Sequence, residues 1–229
     1  MVISIDKIRI PKDEVLRYLG YKKQKIDDDF NKLLEDTIEE SKKLIEPKFV
    51  CGKYKLIKND EGVLLENTNL LLKGKDIKNH LLFAEEVVIM AATVGRIIEQ
   101  KISYYEKFNL TKAIILDSCA TTAVEEVCDI VEEEIRKSVY DEDKAITFRF
   151  SPGYGDLPLD IQGTFIDVLN ASKLIGLTTS ENFLLFPGKS VTAIIGIIPK
   201  TKEKRGIQCQ RCKNYDKCNF RREGHSCGN

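Results

Sequence analysis

Apolar and polar residues alternate along this chain in stretches that change period several times. Pro11 to Gly20 reads as a short helix, with proline near its start and glycine at its end. Asp27-Asp-Asp29 then opens a longer helix, because carboxylates suit the positive end of a helix dipole. Its apolar residues Phe30, Leu33, Leu34, Ile38, Leu44 and Ile45 recur every three or four positions, which predicts one buried face, and Pro47 stops it. Lys48 to Lys58 and Val63 to Glu66 read as a hairpin around Asn59-Asp-Glu-Gly62. Asp76 to Phe83 is a predicted helix. Glu86 to Thr93 is an almost continuous apolar run of strand length, leading through Gly95 into a helix over Arg96 to Phe108.

The second half continues the mixture. Thr111 to Tyr140 carries Ile114, Thr121, Val124, Cys128, Val131 and Ile135 along one stripe, which predicts a long helix against the core. Ala145 to Phe150 is a predicted short strand, Asp160 to Leu169 a helix, and Ser190 to Ile198 a last, buried strand. The order predicts an α+β fold: a twisted, mainly antiparallel sheet with helices packed around it.

Composition adds bounds. The 229 residues are 42% hydrophobic and 31% charged, enough apolar material for a sizeable core. Lys plus Arg and Asp plus Glu each number 36, so no global charge draws the chain to nucleic acid or membrane. The first residues lack the basic-then-apolar pattern of a secretory signal, and the longest apolar runs are too short for a bilayer. The expectation is a soluble, cytoplasmic protein. Seven cysteines, three of them scattered (Cys51, Cys119, Cys128), argue against a secreted disulfide framework.

The other four cysteines sit in a different kind of segment. From Thr201 onward there are eight bases against three acids, a net of +5, and little to build a core. The expected division is therefore residues 1–200 as one folded unit and 201–229 as a basic Cys-rich tail. Cys209, Cys212, Cys218 and Cys227 give C-x2-C-x5-C-x8-C, with His225 nearby. Four thiolates among cations can order a short tail by coordination. Zinc and an iron–sulfur cluster both suit such ligands, four free thiols without metal are the alternative, and the spacing leaves the choice open. The order is not that of a radical S-adenosylmethionine enzyme. Gly188-Lys189-Ser190 invites a nucleotide reading, but Phe183 stands where a P-loop needs glycine, and a strand rather than a helix follows.

One run carries sharper chemistry. In Arg149-Phe-Ser-Pro152-Gly153-Tyr154, an arginine beside a Pro-Gly turn can offer its planar fork to a carboxylate. On these residues alone, a surface turn with a solvated arginine is the simpler reading. The run resembles the Arg-x-x-Pro-Gly-Tyr signature of the activation domain of cobalamin-dependent methionine synthase, matched by Arg149, Pro152, Gly153 and Tyr154. Ala123 to Lys137 is similar to that family's helix, with Glu125 at the place of a ligand-contacting glutamate. Leu174 to Phe183, then Phe186-Pro-Gly-Lys-Ser-Val191, is similar to its closing segment, in the same order.

The resemblance implies binding of S-adenosylmethionine, with Arg149 on the carboxylate and Glu125 on the ammonium. It implies a role in reductive methylation of cob(II)alamin, as an accessory that positions a methyl group rather than supplying an acid or base. The chain is too short to hold substrate barrels as well. With only His80 and His225, it also lacks the D-x-H-x-x-G cobalamin motif. The implied partner is thus a cobalamin-carrying methionine synthase, or another corrinoid protein, in trans, with an electron-donor protein. A metal-stabilised module binding nucleic acid or protein through its tail is the alternative from another class. The sequence departs from the family in two places. Lys200 to Arg205 holds no aromatic where relatives carry a tyrosine pair, and Asp141, Glu142 and Asp143 are the stand-ins for a family glutamate before the arginine.

Overall fold

The computed structural model describes residues 2–22, 24–140 and 142–202. Seven α-helices lie among them: α1 Lys12–Tyr18, α2 Asp28–Leu44, α3 Lys75–His80, α4 Ile97–Tyr105, α5 Leu110–Tyr140, α6 Gln162–Val168 and α7 Ala171–Ile175. The strands are β1 Lys48–Lys58, β2 Val63–Leu65, β3 Leu71–Leu72, β4 Glu86–Thr93, β5 Lys144–Ile146, β6 Thr178–Thr179, β7 Leu185–Phe186 and β8 Ser190–Pro199. Six of them form one sheet in the order β3-β2-β1-β4-β8-β5. Each neighbouring pair is antiparallel. The fold is α+β, as the alternation of periods predicts. No helix among the described residues is long and apolar enough to cross a membrane.

Local chemistry sets the element ends. The Asp27 carboxylate accepts from the Phe30 amide at 2.7 Å and caps α2. Asn59 closes the β1–β2 hairpin, its side chain accepting from Gly62 N at 2.9 Å. Gly95, at φ +86°, turns the chain from β4 into α4 with Glu46 packed where a Cβ would be.

The sheet is covered on both faces, which explains why β4 and β8 read as unbroken apolar runs. Val88, Met90, Ala92, Ala193, Ile195 and Ile197 pack against α5, α2 and α1 on one side. Val87, Ile89, Ala91, Ile194 and Ile198 pack on the other side with Ile77, Leu81, Phe165 and Ile175. α5 is the longest element; 31 residues make it about 46 Å long. From Ile115 to Cys128 it is buried almost all round.

Four expectations need correction. The strand expected over Ala145 to Phe150 is only Lys144–Ile146; the chain then leaves the ladder and returns for a single bridge, Phe150 to Ile194. Thr147 breaks the pairing, because its Oγ1 takes the Gly196 amide at 2.8 Å. Arg149 therefore lies in a bulged stretch, not at a strand end. Ile114 was expected on the buried stripe of α5 but is 49% exposed, while Ile115 beside it is buried. The α3 helix stops at His80 rather than Phe83, which is exposed. Finally, β3, the β6–β7 pair and α7 are additional. These are pieces of two to five residues, too short for periodicity to mark.

Candidate functional site

Two chain segments far apart in sequence meet along α5. The first is the bulged stretch after β5. Its alternation sends Phe150 into the core beneath the sheet and leaves Arg149 on the α5 side. The guanidinium meets three carboxylates of α5. Nη2 donates to Glu125 Oε2 at 3.2 Å, Nη1 lies 2.8 Å from Asp129 Oδ1, and Nε lies 3.7 Å from Glu132 Oε2. Glu125, Asp129 and Glu132 share a helix face by their spacing of four and three. The sequence reading singled out the first and missed the other two, although that spacing was visible in it.

The arrangement is charged and partly enclosed. The Arg149 side chain is 20% exposed. Its Nη1 is buried and, despite the short ion-pair distance, has no aligned hydrogen-bond acceptor among the described residues. Three carboxylates against one guanidinium leave excess negative charge. Burial pushes the Glu125 carboxyl up from its usual range; Arg149 pulls it back, and Asp129 adds to the rise. Arg17, at the end of α1, also stabilises the Glu125 charge, while Glu125 raises the neighbouring Tyr18 phenol, whose rise comes chiefly from burial. The Arg17 guanidinium sits 4.3 Å from the centre of the Tyr18 ring. Thus an aromatic from α1 borders the cluster.

The turn that follows Arg149 is held firmly. Pro152 is buried. Gly153 at φ +90° and Gly155 at φ +56° occupy backbone regions that side chains disfavour. Tyr154 N donates to Ser151 O at 3.0 Å, and Gly153 N to Leu157 O at 2.9 Å. The Tyr154 ring is exposed and meets Phe150 edge-on at 6.0 Å. Asp156 anchors the turn to α3, accepting from Lys75 N at 2.7 Å and Asp76 N at 3.0 Å. Gly155 leaves room for the Asp76 carboxylate, where a Cβ would collide. Replacing Asp156 with alanine removes both caps and is expected to cost about 1 kcal/mol, read as a lower midpoint in urea denaturation.

The second segment enters after β7 through the cis Phe186–Pro187 bond. Lys189 follows, with Nζ 2.8 Å from Asp117 Oδ1 and donating to Thr121 Oγ1 at 2.9 Å. Ser190 begins β8, so the strand that excluded a P-loop is present. Lys189, Asp117 and the hydroxyl of Thr121 were not among the expected site residues.

Of those expected, Arg149, Glu125, Pro152, Gly153 and Tyr154 therefore lie on one face or its adjoining turn. Glu142 and Asp143 lie apart from the cluster: Glu142 pairs with Lys144 at 2.6 Å, and Asp143 O accepts from Lys200 N at 3.1 Å. Asp141 and the tail residues Cys209, Cys212, Cys218, His225 and Cys227 lie outside the described residues. Among the described residues no group of three His, Cys, Asp or Glu is placed to hold a metal.

The fold is similar to that of the MetH reactivation domain bound to AdoHcy. The match covers 99% of this chain and 85% of that one, with a TM-score of 0.64 and 15% sequence identity. At that identity the likeness is one of fold. No protein-family model matches the sequence, and no curated protein sequence matches it.

Proposed function

We propose that this chain binds S-adenosylmethionine beside α5, Arg149 taking the carboxylate and Glu125 the ammonium. In our reading it serves the reductive methylation of cob(II)alamin held by a separate cobalamin-dependent methionine synthase. The observation that carries this is the half-buried Arg149 guanidinium, held against Glu125 at 3.2 Å. A ligand carboxylate that takes the place of Glu125 makes a charge-assisted pair with the guanidinium, which is strong and directional. Glu125, released from Arg149, is then free for an ammonium. The shared fold with a domain seen holding AdoHcy supports the same reading.

When bound, S-adenosylmethionine supplies a methyl group on a cationic sulfonium. The residues of this chain supply binding and orientation. Asp129 and Glu132 keep the site net negative, which favours a cationic ligand over its neutral thioether product. In this reading Tyr154, exposed on the turn, meets a corrin ring or its protein. No general acid or base is required of the protein; the rate comes from holding the methyl donor in line. Residues 1–200 form the binding unit in this proposal. Residues 201–229 form an appendage whose Cys209, Cys212, Cys218 and Cys227 take zinc or an iron–sulfur cluster, the latter as a relay from an electron-donor protein.

Calorimetric titration of the purified chain with S-adenosylmethionine is the direct test. Saturable heat and a thermal shift are expected. Neither signal at millimolar ligand would remove the basis of the proposal. Adding the chain, ligand and a one-electron donor to a methionine synthase arrested as cob(II)alamin should restore the methylcobalamin spectrum. Binding without restoration would move the assignment to another corrinoid methyltransferase.

A further inference from the structure

The central part of α5 hides nearly every side chain, so the exceptions are informative. Between Ile115 and Cys128 only Asp117, Thr121, Glu125 and Glu126 reach solvent even partly. Asp117, Thr121 and Glu125 follow each other at four-residue steps, and Asp129 continues the row. They form a polar row along an otherwise apolar surround. Arg149 stands over one end of it. Lys189 stands over the other.

The Lys189 end is built more rigidly than a surface ion pair requires. Its ammonium, 22% exposed at the side-chain level, is shared by Asp117 and Thr121. Its amide donates to Glu99 Oε1 at 2.5 Å, and its carbonyl accepts from Val94 N at 3.2 Å. The next residue is fastened too, Ser190 Oγ donating to Thr93 Oγ1 at 2.8 Å. A solvated lysine pair is flexible and contributes little; this one is fixed from α4, β4 and α5 together. The result is an aimed carboxylate. Asp117 Oδ1 is on Lys189, while Oδ2 has no partner among the described residues, and the side chain is 50% exposed.

We infer that Asp117, aimed by Lys189 and Thr121, receives the vicinal hydroxyls of the ribose in an adenosyl ligand whose amino-acid end lies on Arg149. The inference rests on the proposed function above. A carboxylate only accepts hydrogen bonds, and it offers two oxygens, which suits a pair of adjacent hydroxyl donors. Eight residues of helix separate Asp117 from Glu125, about 12 Å along the axis. In an extended adenosyl amino acid the ribose lies between the amino-acid arm and the adenine, its hydroxyls separated from the carboxylate by a reach of about 10 Å. The row then meets two polar parts of one ligand: the amino acid at Glu125 and Arg149, the sugar at Asp117.

The test compares S-adenosylmethionine with its 2′-deoxy analogue by calorimetry. On the wild-type chain, loss of the hydroxyl is expected to weaken binding about tenfold or more, as for a hydrogen bond to a charged acceptor. In Asp117→Ala the ratio should fall to within about twofold, because the acceptor is gone. The wild-type comparison does not depend on any variant folding. If the wild type takes both ligands equally, or if Asp117→Ala keeps the full ratio, the sugar assignment is wrong while the binding of S-adenosylmethionine stands. If the wild type takes neither, the proposed function itself falls.

Discussion

Arg149→Ala is expected to weaken S-adenosylmethionine binding by about a hundredfold or more, the cost of truncating one side of an enclosed charge pair. Three properties put the effect at this size. The side chain is largely enclosed, so water replaces it poorly. Its guanidinium is a planar, charged fork that a carboxylate can engage through two nitrogens at once. Removing it also leaves Glu125, Asp129 and Glu132 facing one another without their common cation. That last point separates two outcomes. Arg149→Lys keeps the charge but loses the planar fork, so it should retain the melting temperature better than it retains affinity. Titration of both variants alongside a thermal melt checks this, and wild-type affinity in Arg149→Ala would remove the carboxylate clamp.

Acid should weaken the fold through His80, by roughly 2–3 kcal/mol between pH 6.5 and pH 4. The imidazole lies between Phe148 and Phe150, with ring centres 4.4 Å and 5.0 Å away, and Nε2 is 2.8 Å from Thr147 Oγ1. Burial brings its pKa down to about 4, with the Phe148 backbone opposing. The unfolded chain takes up a proton near 6.5, and the folded chain only near 4. Across that interval the unfolded state binds more protons, so stability rises with pH and is lost as pH falls. Above pH 6.5 this contribution is complete. Urea denaturation of the wild type and of His80→Gln at several pH values measures the difference; equal slopes for the two proteins would show that His80 does not carry it. Because Thr147 and Phe148 immediately precede Arg149, the same acid should loosen the bulge that presents the guanidinium.

Much of the scaffold was legible because it follows from burial and capping. Glu86 to Thr93 is an almost continuous apolar run, and β4 lies between two packed layers over the same residues. Asp27 was readable as a helix start, and it caps α2. What escaped the sequence was set by neighbours distant in the chain. Thr147 has the composition of a strand residue, yet its hydroxyl captures the amide of Gly196, 49 positions away, and ends the ladder. Ile114 fits an apolar stripe as well as Ile115 does; only the packing of α5 against the sheet decides between them.

The site divided along the same line. Arg149 and Glu125 were singled out through their resemblance to a family, and the fold brings them together. Asp129 and Glu132 looked like ordinary acids on the wet face of a helix until a cation was placed above them. Lys189 attracted notice only for a phosphate loop it does not form. Its role depends on Asp117 and Thr121, which precede it by about seventy residues.

The position of β8 has a consequence for how such a chain is made. Among the described residues it is the last strand in chain order, yet it lies inside the sheet, between β4 and β5. While the ribosome is still extending the chain, β4 has β1 on one side and nothing on the other. β5 has no sheet partner at all, so the bulge carrying Arg149 cannot yet make its bridge to Ile194. Pairings this distant close slowly and leave strand edges exposed meanwhile. The bulge that carries Arg149 and its pairing with α5 are therefore among the last features to form during synthesis, and a chain stalled before Ser190 should be a client for chaperones.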